Sequence, residues 1–326
     1  MATRDTLLRA WYANGPLPWW AAPLAALYGA VVRCRVALYR RGWLRAERLP
    51  VPVVVVGNLT AGGTGKTPLV MAIVEALRAR GLRPGVVSRG YGGRQRGAML
   101  LGTAPDPAQV GDEPALIRAG GASVAIGRDR AAAGRLLTAA GCNVLVADDG
   151  LQHYALARDI EICVIDGARR FGNGRLLPAG PLREPLSRLQ RVDLRVCNGG
   201  APQPGEYAMR LRGDVALALS GTTRRPLAEF RRVHAVAAIG NPQRFFASLR
   251  AAGIDVIEHA FADHHAFVPQ DLAFTDDLPV LMTDKDAIKC AAFAQPHWWR
   301  VPVLAELPEA FYTDLLARLP SPRQTS

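Results

Sequence analysis

From Pro50 onward, short runs of apolar residues alternate with longer stretches of mixed polarity. The apolar runs fall at 51–57, 85–88, 123–126, 143–147, 160–165 and 194–197 and are rich in valine and isoleucine. Stretches at 67–80, 113–119 and 130–140 carry helix-like spacing between them. Strands that are apolar throughout, not alternately, are buried on both faces, which predicts a mostly parallel sheet covered by helices. The expected fold is therefore a doubly wound α/β core. Around 199–232 the texture changes. Gly199, Gly200, Pro202, Pro204 and Gly205 mark a loop, and 207–220 reads as alternating or edge-strand sequence. Beyond it, strands at 235–239, 255–260, 280–283 and 301–305, a helix after Gly240-Asn241 and a closing helix at 309–319 predict a second, smaller α/β domain.

The start of the chain has a different pattern. Residues 12–32 carry no charge and include Trp19 and Trp20, and Arg33, Arg35, Arg40, Arg41, Arg45 and Arg48 follow. About 20 apolar residues suffice to cross a bilayer, but Asn14, Gly15, Pro16, Pro18 and Pro23 interrupt the run. Paired tryptophans suit the headgroup level, and arginines suit anionic headgroups on the cytoplasmic side. These features predict a helix lying in, or dipping into, the membrane interface; a true span and a plain core helix are the alternatives.

Composition narrows the picture. The 326 residues carry a net charge of +12, and eight arginines against one Asp and one Glu put about half of that excess in residues 1–50. This balance fits nucleic acid, anionic lipid or phosphorylated substrates. The five cysteines show no CxxC spacing, which argues against zinc and a dithiol redox site and suits a reducing compartment. Only three lysines occur, Lys66, Lys285 and Lys289.

Lys66 ends the string Val53-Val54-Val55-Val56-Gly57-Asn58-Leu59-Thr60-Ala61-Gly62-Gly63-Thr64-Gly65-Lys66, followed by Thr67 and Pro68. A buried strand running into a glycine-rich turn and then a helix is the context of a phosphate loop. Residues Thr60, Ala61, Gly62, Gly63, Thr64, Gly65, Lys66 and Thr67 are expected to hold ATP. Backbone N–H groups and the helix N-terminus face the phosphates, Lys66 neutralises them, and the Thr67 hydroxyl ligates Mg²⁺. Strict spacing wants glycine where Thr60 stands. The apolar run ending in Asp148-Asp149-Gly150 supplies paired carboxylates at a strand end, where Mg²⁺ is held. GTPases and partitioning-type ATPases fit poorly: the Thr283-Asp284-Lys285-Asp286 string has the wrong lysine spacing for guanine, and Ala61 stands where the latter carry lysine.

The loop, together with Ser88-Arg89-Gly90-Tyr91, Gly111-Asp112-Glu113-Pro114, Asp148-Asp149-Gly150-Leu151-Gln152-His153, Leu176 through Pro185 and Asp263-His264-His265, resembles the tetraacyldisaccharide 4'-kinase family in order and content. The resemblance is weakest across 199–232 and after 290. It implies ATP- and Mg²⁺-dependent phosphorylation of the 4'-hydroxyl of a tetraacylated glucosamine disaccharide 1-phosphate, giving lipid IV-A, at the cytoplasmic face of the inner membrane. The implied partners are this lipid and an anionic membrane surface, with no nucleic acid and no protein partner. It implies Asp112 and His264 as a catalytic pair beside Lys66, and Glu184 as a further Mg²⁺ ligand with Thr67, Asp148 and Asp149. Tyr91, Glu113, Arg130, Gln152, His153 and Arg183 match positions near the phosphates or acceptor. A different small-molecule kinase or ligase of the P-loop class, or a nucleotide-switched membrane-associated ATPase, is the alternative. The expected organisation is a membrane-associating helical segment (1–48), a nucleotide-binding core (49–205), linker strands (206–232), a smaller C-terminal α/β domain (233–320) and a flexible tail (321–326).

Overall fold

A computed structural model describes residues 2–13, 15–263 and 265–320. His264 and the expected tail at 321–326 lie outside the described residues. Two helices come first, α1 (Ala2–Tyr12) and α2 (Ala21–Arg40). The proline-rich stretch separates them, so the uncharged run takes in only the last residue of α1, Tyr12, and the first twelve residues of α2. The core then alternates β1 (Val53–Gly57), α3 (Lys66–Ala79), β2 (Pro84–Ser88), β3 (Met99–Leu100), α4 (Pro107–Val110), α5 (Asp112–Ala119), β4 (Ser123–Ile126), α6 (Arg130–Ala139), β5 (Val144–Asp148), β6 (Ile160–Asp166), β7 (Leu194–Asn198) and β8 (Glu206–Arg212). The remainder is β9 (Val215–Ala218), β10 (Arg224–Pro226), β11 (Arg232–Ala237), α7 (Pro242–Ala251), β12 (Asp255–Ala260), β13 (Val280–Thr283), α8 (Asp284–Cys290), β14 (Trp298–Val301), β15 (Leu304–Glu306) and α9 (Glu309–Arg318).

The first sheet has nine strands in the order β15-β8-β7-β6-β1-β5-β2-β4-β3, parallel except at its two ends. Consecutive valines of β1 face opposite sides. Val54 and Val56 join a core with Leu69, Ile73 and Leu77 of α3, while Val53 and Val55 join one with Ala133 and Leu137 of α6. This two-sided burial is the doubly wound α/β architecture that the continuous apolar runs required. The second sheet, β10-β9-β14-β13-β11-β12, packs Phe246 and Leu249 of α7 on one face and Ala287 and Cys290 of α8 on the other.

The expected linker 206–232 is not one unit. Its first strand, β8, extends the large sheet, whereas β9 and β10 belong to the small one. Likewise the single strand expected at 301–305 is two, β14 in the small sheet and β15 in the large one. The chain thus leaves the first domain at β8 and re-enters it at β15. The closing α9 follows it back and seats Phe311 and Leu315 in the core beneath β1. Alternation within 207–220 could not reveal this, because an edge strand and a ribbon share one period. Phe311 is fully buried far in sequence from its neighbours. Phe311→Ala should therefore cost about 3–5 kcal/mol of stability, read as a lower denaturant midpoint for the nucleotide-binding domain.

Candidate active site at the phosphate loop

The loop after β1 closes on α3. Gly65 caps α3 with a left-handed backbone, φ 88°, and a side chain there would collide with Asn198. Within 57–67 only Gly62 and Gly65 have positive φ, so Thr60 needs no special conformation. It is buried and bridges to Leu182, and Ala61 N–H donates to the Pro181 carbonyl at 2.7 Å. The glycine missing from strict spacing is thereby explained, because the segment Leu176–Pro185 braces the loop from outside. Lys66 begins α3 with its Nζ 3.3 Å from Asn58 Oδ1 and 3.6 Å from Asp149 Oδ1. Asn58 is buried and its Nδ2 donates to the Thr60 carbonyl at 2.8 Å. Thr67 lies in the first turn of α3.

The neighbouring strand β5 brings the carboxylates. Asp148 stands in register with Val56. Asp149, at φ 47°, turns the chain so that Gly150 N–H donates back to the Val56 carbonyl at 3.0 Å. Burial pushes the Asp148 carboxyl up to about 7, helped by the nearby Glu113 and Asp149 carboxylates. Its Oδ1 is buried without a hydrogen-bond partner among the described residues. Burial also pushes Asp149 upward, but Lys66 and Arg183 outweigh it and hold this carboxyl below its ordinary range. Arg183 meets both oxygens of Asp149 at 3.0 Å. Arg130, buried at the start of α6, donates to the Asp149 carbonyl at 2.9 Å, and burial brings its guanidinium down to about 10. Burial, with Arg130 and Arg158, takes His153 down to about 4, so its ring is neutral at pH 7. Two carboxylates side by side, one orphaned and one paired with cations, form a ready site for a divalent cation.

Glu184, the further Mg²⁺ ligand that the resemblance implies, lies in the same cluster. Gln152 Nε2 joins Glu184 Oε2 to the Asn58 carbonyl at 3.1 Å each, while Tyr154 and Arg188 hold the carboxylate from the other side. Both of its oxygens are engaged by side chains, so it anchors the network that carries Asn58 and Lys66.

Asp112 and Glu113 open α5 at the edge of this cluster. Tyr91 is exposed beside them, its carbonyl packed against Gly111, which has φ 92°. The second domain supplies the counter-charges. Lys289 Nζ lies 3.4 Å from Asp112 Oδ2 and 3.1 Å from Asp286 Oδ1, and Lys285 Nζ lies 3.6 Å from Glu113 Oε1. Asp286 is itself fixed by the Thr283 hydroxyl and the Ala238 N–H. The Thr283-Asp284-Lys285-Asp286 string, unassigned by sequence, thus joins the domains, and all three lysines of the chain meet carboxylates of this site. The expected partner of Asp112, His264, lies outside the described residues.

The N-terminal helices reach the same place. The Tyr28 hydroxyl of α2 donates to the Arg183 carbonyl at 2.9 Å, and Trp11 Nε1 of α1 to the Pro178 carbonyl at 2.9 Å. Gly29 lets α2 approach Leu176 closely. The opposite face of α2 exposes Leu24, Leu27 and Val31. This helix of 20 residues is long and apolar enough to cross a membrane, with mean hydropathy 1.4 over its most apolar 18-residue stretch.

A parallel sheet with a phosphate loop after β1 and paired aspartates after the adjacent β5 defines a P-loop nucleotide-binding protein. Known proteins narrow the class. Residues 17–320 match the family described as Tetraacyldisaccharide-1-P 4'-kinase. A tetraacyldisaccharide 4'-kinase of Stenotrophomonas maltophilia is 55% identical over 322 residues, covering 95% of each chain. One from Xanthomonas euvesicatoria is 53% identical over 325 residues, 95% of this chain and 94% of the relative. The crystal structure of "apo" form LpxK from Aquifex aeolicus in complex with ATP is similar at TM-score 0.77 and 28% identity, over 92% of this chain and 98% of that one. The chain belongs to the tetraacyldisaccharide 4'-kinase family.

Proposed function

We propose that the protein transfers the γ-phosphoryl group of ATP, with Mg²⁺, to the 4'-hydroxyl of a tetraacylated glucosamine disaccharide 1-phosphate at the cytoplasmic face of the inner membrane. The observation that carries this reading is the meeting of the phosphate loop, the Asp148/Asp149 pair and the lysine-held Asp112 at one cleft. The loop N–H groups and Lys66 would cradle the outer phosphates. Thr67 and Asp148, with Asp149 beside them, are the groups that would hold Mg²⁺, and the orphaned Asp148 oxygen fits that task. The bound ion supplies positive charge to the transferring phosphoryl oxygens. Asp112 takes the proton of the 4'-hydroxyl as its oxygen bonds to the γ-phosphorus. The bond from that phosphorus to the β–γ bridging oxygen breaks, and ADP leaves. His264 is assigned the role of orienting Asp112. Arg183 and Arg130 balance charge around Asp149.

A four-chain lipid stays in its bilayer, so the cleft must come to the surface. The exposed apolar face of α2 and the arginines at its C-terminal end suit that placement. Changing Leu24, Leu27 and Val31 together to serine should weaken binding to vesicles of anionic phospholipid by about tenfold or more, since each buried aliphatic side chain contributes about 1.5–3 kcal/mol. The melting temperature should stay unchanged, because these side chains touch no core. Co-sedimentation reads the first and thermal unfolding the second.

The deciding experiment is incubation with ATP, Mg²⁺ and the disaccharide 1-phosphate lipid, followed by mass spectrometry. A gain of one phosphate on the distal sugar is expected. An unchanged lipid beside a correctly folded protein would overturn the reading.

A further inference from the structure

Asn198 ends β7, two strands from β1 in the large sheet, and is 1% exposed. Its backbone is locked, with its carbonyl accepting from Gly167 N–H at 3.0 Å. Its side chain divides between two masters. Nδ2 donates to the Thr64 carbonyl at 2.9 Å, inside the phosphate loop. Oδ1 accepts from Arg244 of α7 at 3.0 Å, so that the second domain grips the same amide. Arg244 also lies along Gly199, where a Cβ would come within 3.3 Å of its guanidinium. Among the described residues Arg244 has no carboxylate partner, and Asn198 Oδ1 is the acceptor its side chain meets.

The physical consequence lies in the peptide unit between Thr64 and Gly65. In a trans peptide the C=O and the following N–H point to opposite sides. Holding the Thr64 carbonyl against Asn198 turns the Gly65 N–H the other way, to the face of the loop opposite Asn198. Gly65 has to be glycine both for its φ of 88° and because Asn198 Nδ2 would lie 2.3 Å from a Cβ. The contact is thus a built one, with the loop shaped around the amide.

We propose that Asn198 is a positioning residue for phosphoryl transfer, fixing the Gly65 N–H of the phosphate loop through Thr64, and that Arg244 couples this setting to the seating of the second domain. The inference rests on the proposed kinase reading, because it assigns the loop to the phosphates of ATP. Neither residue need touch the nucleotide. The amide sets a donor's direction, and the arginine holds the amide's one acceptor so that its NH₂ stays turned toward Thr64.

The test uses the full chain with the disaccharide lipid and ATP. Asn198→Asp keeps the volume and the acceptor for Arg244 but faces the Thr64 carbonyl with a second acceptor. It should lower kcat/KM for ATP by about 10- to 100-fold, the range expected for losing a buried hydrogen bond and leaving a carbonyl unsatisfied. KM for the lipid should stay within about twofold, since lipid contacts are untouched. Arg244→Ala should give a smaller loss of the same kind, and Arg244→Lys should recover part of it, because an ammonium can reach the same oxygen. ATP-induced thermal stabilisation should fall in parallel for Asn198→Asp, by more than the modest drop in melting temperature without nucleotide that the lost buried hydrogen bond brings. The proposal is overturned by kcat/KM for ATP near the parent's value in Asn198→Asp, or by a rise in KM for the lipid as large as the loss seen with ATP. If Asn198→Asp does not fold, the Arg244 pair decides: equal activity of Arg244→Ala and the parent rejects the coupling. A parent that phosphorylates no lipid instead rejects the kinase reading itself, a separate outcome.

Discussion

Lys66→Ala should abolish lipid phosphorylation, lowering kcat by about 10³-fold or more, while the protein remains folded. The side chain is mostly enclosed, and its ammonium meets Asn58 and Asp149. Removing it deletes the one lysine cation of the loop, and with it charge aimed at the outer phosphates. Losses of a single preorganised donor in other enzymes run at about 10²–10³, and a cation acting on a transferring phosphoryl group at about 10³–10⁵. Arg183 Nη1 still bridges both oxygens of Asp149, so the carboxylate keeps a counter-charge and the local fold keeps its brace. The measurements are single-turnover transfer and thermal unfolding. Retention of even a tenth of parental turnover would show that phosphate neutralisation comes from another group.

The second large effect is expected at Asp112. Asp112→Ala should retain ATP binding, read by nucleotide-induced stabilisation, but lose transfer by about 10²–10⁴-fold, the ordinary worth of a positioned base. Asp112 sits at the start of α5, away from the loop that is assigned to ATP, so binding and transfer separate there. The variant also leaves Lys289 with Asp286 of its own helix, and the Lys285–Glu113 pair still ties the two domains. Near-parental turnover in Asp112→Ala would remove the base assignment and leave positioning and charge as the whole of the catalysis.

Much of this was legible before any coordinates. The all-apolar runs disclosed a two-sided parallel sheet, and each of the six strands expected from them lies within two residues of its expectation, because burial on both faces leaves a signal that no loop imitates. The phosphate loop and Asp148-Asp149 were readable for the same reason: chemistry at a strand end needs a few residue types in a fixed order. What escaped detection depends on distance. Asn58 had only its place beside the glycines to recommend it. Asn198 and Arg244 are far apart in sequence, and neither belongs to a spacing pattern. Lys285 and Lys289 carried a faint signal, being two of three lysines in an arginine-rich chain, but only the fold sets them against Glu113 and Asp112. Glu184 was visible as an acidic residue, yet its engagement by Gln152, Tyr154 and Arg188 is a matter of packing. The split of 206–232 between two sheets was hidden because strand propensity does not say which neighbour a strand will choose.

That split has a mechanical meaning. β8 runs on into β9 and β14 runs on into β15; β8 pairs with β15 and β9 with β14, both antiparallel. Gly213 and Pro302, on the two connectors, lie against each other. The domains are therefore joined by one continuous two-stranded ribbon whose strands cannot slide past each other without breaking their ladder. Such a ribbon bends across its flat face and resists shear along its length. The smaller domain is thus hung like a door on a single hinge pin. Lys289, Lys285 and Arg244, the side chains with which it reaches Asp112, Glu113 and Asn198, all ride on this one ribbon-hung unit.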